Sequence, residues 1–220
     1  MAFSALRTHA GNAGSRPWLR QGAHLDFFGQ RVRRDCLGRR LLDQAQRKLE
    51  RIEGGGAGFS TSVFPVSVEA HALPFSERSF DAIVSFDAYH YFGTDDLYLG
   101  YISSFLKLGG RLGIVVPGTR EELSEVPPPH LAQYWVWDFC SFHSPGWWRR
   151  HWEKTGLLEI ETADTLTDGW KLWLEWNVLC EQFGQQNLAH LARREAEMLR
   201  VDDGRTFGFT RLIAKRTRGP

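Results

Sequence analysis

The sequence predicts an α/β protein with a doubly wound, mostly parallel sheet that is incomplete at its amino-terminal strands and with a Trp-rich helical insertion. Residues 80–85 (FDAIVS) and 111–116 (RLGIVV) are short apolar runs, typical of strands that are covered on both faces. A segment with apolar residues at helical spacing lies between them. Because strand, helix and strand in this order form a crossover connection, we expect the two strands to be parallel.

The amino-terminal segment lacks the pattern of a sheet strand. Residues 1–49 mix Gly, Arg, Gln and Ala with little apolar periodicity, so we expect them to be poorly ordered, with one helix at about residues 39–52. Residues 63–68 (VFPVSV) predict the first strand of a domain that occupies residues 50–220. With no strand before them, residues 80–85 are expected to lie beside an unpaired sheet edge.

The helix between the two central strands has a recognisable start. Apolar residues recur at helical spacing over residues 97–106, and Thr94 or Asp95 is a candidate N-cap. The glycine pair at residues 109–110 is predicted to end this helix.

The carboxyl-terminal half contains one more helix with clear end signals and two more strands. Ser144 is a candidate N-cap, Pro145 occupies the first helical position, and Gly156 is predicted to end the helix. Residues 157–162 and 206–214 predict the last two strands.

Composition excludes several function classes. The 220-residue chain has a formal net charge of +1, which argues against an extended nucleic-acid interface. It has no apolar run of eighteen residues and no apolar signal core, so we expect neither a membrane span nor secretion. The three cysteines, Cys36, Cys140 and Cys180, fit a reducing cytoplasm with no disulfide framework and no metal site.

Three segments carry a family resemblance: residues 71–75 (HALPF), 79–87 (SFDAIVSFD) and 109–117 (GGRLGIVVP). They resemble the second half of a class I S-adenosylmethionine-dependent methyltransferase of the small-molecule branch, over about Glu50 to Lys215. The resemblance implies a Rossmann-like sheet with an antiparallel last strand, S-adenosylmethionine as cofactor, and a small-molecule methyl acceptor.

The glycine-rich cofactor turn of that family is missing. Its members begin with a strand that ends in an acidic residue followed by a Gly-x-Gly-x-Gly turn. The nearest glycines, at residues 11–14 and 54–56, do not follow an apolar strand-like run, and that context gives a glycine motif its meaning.

A one-nucleotide shift restores the missing turn. Reverse translation of residues 9–28 with permitted codons, read one nucleotide later, gives MPGMRVLDLGCGKGLTWTS, which contains both the strand and the acidic glycine turn. The same frame over residues 28–49 can give a helix end and a second strand closed by an aspartate. Our hypothesis is that residues before about Glu50 are an out-of-frame translation, and the alternative is an ordinary divergent extension.

The resemblance implies cofactor-binding residues after the first strand. Glu69 and Ala70 stand where the family commonly places an acidic residue and its neighbour against the adenine, and His71 follows them. The alternative for Glu69 is a solvated loop carboxylate.

The segment after residues 80–85 is the second candidate part of the site. The resemblance implies that Phe86 and Asp87 line the cofactor side, with Tyr91 also next to the cofactor. Tyr89 and His90 are the candidate catalytic residues, because they lie on the methyl-transfer side and a histidine can accept a proton near neutral pH. The alternative for His90 is a structural, hydrogen-bonded histidine.

Aromatic residues are concentrated near the carboxyl-terminal strands. Eight of the nine tryptophans lie between Trp135 and Trp176, and the helical stretch at about residues 169–203 is too long for a hairpin loop, so it is predicted to be an insertion. These rings could wall a pocket for an apolar or aromatic acceptor, with His143 as a further pocket residue, or form a self-contained core. Residues 193–197 (RREAE) are expected to be a solvated helix face.

Two other functions remain open from the sequence. A chain without the glycine turn could be a non-catalytic methyltransferase-like binding module. A dinucleotide oxidoreductase would share the sheet class but needs its own glycine fingerprint at the first strand-to-helix turn. The oligomeric state and the atom that is methylated do not follow from the sequence.

Overall fold

A computed structural model describes residues 2–6, 68–183 and 186–219. The helix predicted at residues 39–52 and nearly all of the strand predicted at residues 63–68 lie outside this part. The strands are β1 (Ala2–Leu6), β2 (Phe80–Phe86), β3 (Leu106–Thr119), β4 (Leu158–Thr165) and β5 (Phe207–Arg216). The α-helices are α1 (Tyr98–Ser104), α2 (Pro145–Glu153), α3 (Gly169–Phe183) and α4 (Gln186–Asp202), with 3-10 helices at Tyr89–Tyr91, Pro129–Tyr134 and Trp137–Ser141.

The five strands form one sheet in the order β1-β2-β3-β5-β4. β2 and β3 are parallel, and β5 is antiparallel to both of its neighbours, so β2, β3 and β4 run in the same direction. α1 connects β2 to β3. The predicted α/β fold, the parallel central pair and the antiparallel last strand are confirmed.

The predicted unpaired edge beside β2 is wrong. β1 pairs with β2 in the antiparallel sense, from Ala2 opposite Phe86 to Leu6 opposite Ala82. Backbone groups of the chain's first residues therefore satisfy the edge of β2, although these residues carry no strand signal strong enough to predict it. In the described residues no further strand pairs with β1.

The glycine pair at residues 109–110 does not end α1. The helix ends at Ser104, and β3 begins at Leu106 and runs through both glycines. Gly109 has a φ of +82°, and a Cβ on Gly110 would lie 2.9 Å from the carbonyl oxygen of Asp81. The glycines therefore accommodate an irregularity in the β2–β3 pairing, where the register shifts between Phe80 and Ala82.

The predicted start and end of α2 are confirmed. Ser144 Oγ accepts a hydrogen bond from the backbone N–H of Trp147 at 3.2 Å, and Pro145 is the first helical residue. Gly156 follows the helix with a φ of +64°, in the left-handed region that glycine adopts most readily.

Two aromatic clusters fill the interior. The first, the sheet cluster, lies between the sheet and helices α1 and α2, where its rings meet Ile83, Leu112 and Ile114 of the strands. Its buried aromatic members are Phe80, Tyr89, Phe92, Tyr98, Phe105, Trp148 and Trp152. The second, the insertion cluster, involves α3, α4 and the start of β5, and comprises Leu131, Phe139, Trp173, Met198, Leu199 and Phe207, with the partly buried Phe142 packed against them.

Candidate functional site

The candidate site begins at a sharp turn after β2. Asp87 has a φ of +51°, in the left-handed region that aspartate tolerates better than most residues. Its backbone N–H donates to the carbonyl oxygen of Val115 at 2.9 Å, which fixes the turn to the neighbouring strand. The turn directs the chain into the 3-10 helix Tyr89–Tyr91 at the carboxyl end of the parallel pair.

The three residues of this 3-10 helix lie in three different environments. Successive residues of a 3-10 helix are rotated by about 120°. Accordingly Tyr89 packs into the sheet cluster, His90 contacts Phe142 of the insertion cluster with ring centroids 5.5 Å apart, and Tyr91 is exposed. The short helix thus connects the two clusters.

Tyr89 is held as a core residue. Its ring centroid lies 5.6 Å from that of Trp148 and 5.7 Å from that of Trp152. A Cβ on Gly93 would lie 1.9 Å from the Tyr89 ring, so glycine is required there. This placement gives Tyr89 a packing role, and its catalytic role stays a prediction.

His90 is fully buried, and neither of its ring nitrogens has a hydrogen-bond partner in the part of the chain that the structure describes. Burial lowers the pKa of His90 to about 3, so the imidazole is neutral at physiological pH. A neutral imidazole offers one donor and one acceptor. The structure therefore places a buried group with unused hydrogen-bonding capacity directly after β2.

Phe86 and Asp87 form the exposed rim beside His90. Desolvation by surrounding protein atoms and, to a smaller extent, the negative charge of Glu195 together raise the pKa of the Asp87 carboxyl group to about 6. The Asp87 carboxyl group can therefore change its protonation state near neutral pH when a charged ligand binds beside it.

Glu195 also belongs to this region, although the sequence did not indicate it as a site residue. Residues 193–197 were predicted to be a solvated face, but Glu195 is half-buried, and Trp173 Nε1 donates to its carboxylate at 3.2 Å. The signal was available: Ala192, Ala196 and Leu199 are buried, and Glu195 shares their stripe at helical spacing.

The turn at Glu69 is the other half of the candidate site. The Glu69 carboxylate pairs with Nδ1 of the His71 ring at 3.0 Å and accepts a hydrogen bond from the His71 backbone N–H at 2.8 Å. The contact with the His71 ring is the main cause that lowers the pKa of Glu69, and the backbone hydrogen bond adds to it. The Tyr98 hydroxyl donates to the carbonyl oxygen of Ala70 at 3.0 Å, and the His71 ring contacts Tyr98 edge-on. Because Tyr98 also packs on Tyr89, it joins this turn to the segment after β2.

The chain was compared with family models, curated protein sequences and solved structures. No family model matches the chain, and no curated protein sequence matches it. Solved structures do. A putative sarcosine dimethylglycine methyltransferase from Galdieria sulphuraria matches with a TM-score of 0.57 and 18% identity over 80% of this chain and 67% of that one. Geranyl diphosphate C-methyltransferase from Streptomyces coelicolor, in complex with geranyl diphosphate and S-adenosyl-L-homocysteine, gives 0.54 and 19% over 79% and 59%.

The chain has the fold of the S-adenosylmethionine-dependent methyltransferases. The predicted resemblance is thus confirmed at the level of the fold. A further match is the cyclase SpnF, with a TM-score of 0.52 and 17% identity over 81% of this chain and 61% of that one. The methyltransferase fold therefore also occurs in a protein named for a different reaction, and the chemistry has to be argued from the site.

The described residues include polar groups that are able to bind a ligand. Glu69 has an exposed carboxylate with lone pairs to spare, and His90 and Asp87 supply polar groups at the carboxyl end of β2, the edge at which open α/β sheets bind ligands. In the same described ranges no group of three or more His, Cys, Asp or Glu side chains is arranged for a metal ion. Nor does any described helix combine the length and apolarity needed to cross a bilayer.

The tryptophan-rich segment divides between the two clusters and the surface. Trp148 and Trp152 belong to the sheet cluster, Trp173 belongs to the insertion cluster, and Trp137 and Trp176 are exposed. Trp148 and Trp152 are therefore core residues, as the core interpretation predicts. The pocket-wall interpretation stays a prediction for Trp135 and Trp173 of the insertion cluster, and Trp173 contacts Phe142 beside His90.

His143 packs between the start of α2 and the end of β3. Its ring stacks on Trp147 with centroids 3.7 Å apart, and burial lowers its pKa against the opposing effect of Glu122. Its carbonyl oxygen accepts a hydrogen bond from the Thr210 hydroxyl, close to Gly118 at the end of β3. His143 therefore anchors α2 to the strand ends.

Proposed function

We propose that this chain serves S-adenosylmethionine-dependent methyl transfer to a small-molecule acceptor of apolar or aromatic character. The observation that carries the proposal is His90, which is buried at the carboxyl end of β2 and has no hydrogen-bond partner among the described residues, in a chain with a methyltransferase fold. A buried polar group without a partner is costly in a folded protein, and a ligand that pairs with it offsets that cost.

The proposed cofactor contacts lie on the two strand-end segments. Glu69, Ala70 and His71 would hold the adenine end, and Phe86, Asp87 and Tyr91 the methionine end. S-adenosylmethionine supplies the methyl group when bound. Since methyl transfer is an in-line displacement, these residues mainly need to fix position and alignment.

His90 would orient the acceptor. Its low pKa keeps the ring neutral, so it can accept a hydrogen bond from an acceptor hydroxyl or amine, or donate one to it. Phe142 lies against the same ring and supplies an apolar wall. Tyr89, fully buried behind His90, supports the position of the helix that carries it.

We further propose that the residues before about Glu50 are out of frame and that the cofactor site of the printed sequence is therefore incomplete. The missing glycine turn and second-strand carboxylate normally contribute hydrogen bonds to charged groups, each worth about 1.5 to 3 kcal/mol. The alternative, a non-catalytic methyltransferase-like binding module, predicts no cofactor binding even in a frame-corrected chain.

The test is calorimetric titration of S-adenosyl-L-homocysteine into the frame-corrected chain and its Asp87→Asn variant. Asp203→Asn is a matched control, because Asp203 is also exposed and also has a φ of +51°. We expect Asp87→Asn to weaken binding about tenfold, and Asp203→Asn to leave it unchanged. No binding by the frame-corrected chain would support the non-catalytic module, and equal effects of the two substitutions would move the site away from β2.

A further inference from the structure

Helix α3 presents a line of large apolar side chains to solvent. Leu172, Trp176, Leu179 and Phe183 are 59%, 64%, 50% and 81% exposed. Their spacing of four, three and four residues places them in one stripe along the helix. The buried face of the same helix is different, since it is formed by Trp173 and Asn177.

The stripe is larger than the single apolar side chains that are scattered over most protein surfaces. It extends over three helical turns, about 16 Å at 1.5 Å per residue. At the exposed fractions above, four large side chains present roughly 500 to 600 Å² of surface, which is as large as the largest apolar patch of a typical monomer. The largest apolar patch of a monomer is often functional.

The spacing and the area favour a second copy of the chain as the occupant. A repeat of four and three residues is the pattern by which one helix packs along another, and a symmetric pair needs the same patch on both subunits. Two such stripes together bury roughly 1,100 Å², which reaches the size of about 1,000 Å² expected of a specific interface.

Charged side chains at both ends of the stripe are paired within the chain. At one end of the stripe Lys171 pairs with Asp168 at 2.8 Å, and at the other end Arg193 pairs with Glu181 at 2.7 Å. The chain as a whole has a net charge of +1, so two copies repel each other little. We propose that the chain forms a symmetric homodimer through the α3 stripe of Leu172, Trp176, Leu179 and Phe183.

Sedimentation equilibrium on the full chain tests the dimer. We expect the unaltered chain to sediment as a dimer at micromolar concentration. Trp176→Asp and, separately, Phe183→Asp should weaken self-association about thirtyfold or more, because each places a charge at a large apolar contact of the stripe. Both residues are largely exposed in a single chain, so far-UV circular dichroism should remain unchanged.

Leu97→Asp is the matched control, because Leu97 is an apolar residue that is 82% exposed and lies away from α3. It should sediment as the unaltered chain does. A monomeric unaltered chain at roughly 100 µM, well above the Kd of a micromolar dimer, would overturn the proposal. A dimer that persists in both stripe variants would overturn it as well, since the contact would then lie elsewhere.

Discussion

The sheet cluster and the insertion cluster draw on the same aromatic-rich segment, yet their surroundings differ. The sheet cluster is enclosed by strands and by helices α1 and α2, and its large rings are fully buried. The insertion cluster borders polar groups, with His90 on one side and Glu195 on the other. Tryptophan density alone therefore does not identify a pocket.

Removing a ring from the sheet cluster should have the largest effect. Trp148 is fully buried and packs on Tyr89, so Trp148→Ala should lower the free energy of unfolding by about 3 to 5 kcal/mol. Trp137→Ala, at an exposed position of the same segment, should change it by no more than about 0.5 kcal/mol. Urea denaturation measures both, and equal losses would contradict the division between core and surface rings.

A methyl group at the end of β3 should have the next largest effect. A Cβ on Gly118 would lie 2.4 Å from the carbonyl oxygen of His143 and 2.7 Å from the Thr210 hydroxyl. Backbone must therefore move, and Gly118→Ala should cost about 1 to 3 kcal/mol in the free energy of unfolding. Gly113→Ala is the control in the same strand, because its Cβ meets nothing closer than 4.0 Å. A similar cost for both glycines would show that the close contact of Gly118 is unimportant.

The burial of His90 predicts a pH dependence of stability. The folded-state pKa of His90 is about 3, below the usual value of 6.5, so between these values the unfolded chain binds more protons. The contribution is present above pH 6.5 and is lost as the pH falls, by about 2 kcal/mol between pH 7 and pH 5. His90→Phe should remove this part of the pH dependence, and Tyr91→Phe, at the exposed neighbouring position, should retain it. Denaturation curves of His90→Phe that fall as steeply with pH as those of the unaltered chain would show that the His90 ring is solvated.

Local signals sufficed for much of the fold. Each of three signals consists of residues that are neighbours in sequence: the runs at residues 80–85 and 111–116 and the cap at Ser144. Each is confirmed. The role of the glycine pair at residues 109–110 was missed because it depends on the register of β3 against β2. β1 was missed for a similar reason, since its only strand partner among the described residues is an edge about eighty residues away.

The site was less predictable than the fold. The sequence indicated that the segment after β2 is the candidate site, but not which of its side chains is buried in which cluster. Tyr89 and His90 are adjacent in sequence, and the 3-10 helix that carries them places them in different clusters. Glu195 was hidden among charged neighbours, because its contact with Trp173 depends on how α3 and α4 pack.

Calorimetric titration of S-adenosylmethionine into the printed chain and into its frame-corrected form tests the central claim most directly. The loss of two hydrogen bonds to charged groups, at about 1.5 to 3 kcal/mol each, predicts that the printed chain binds the cofactor at least about a hundredfold more weakly than the frame-corrected chain. Micromolar binding by the printed chain, abolished by Glu69→Ala, would contradict our account of its amino terminus.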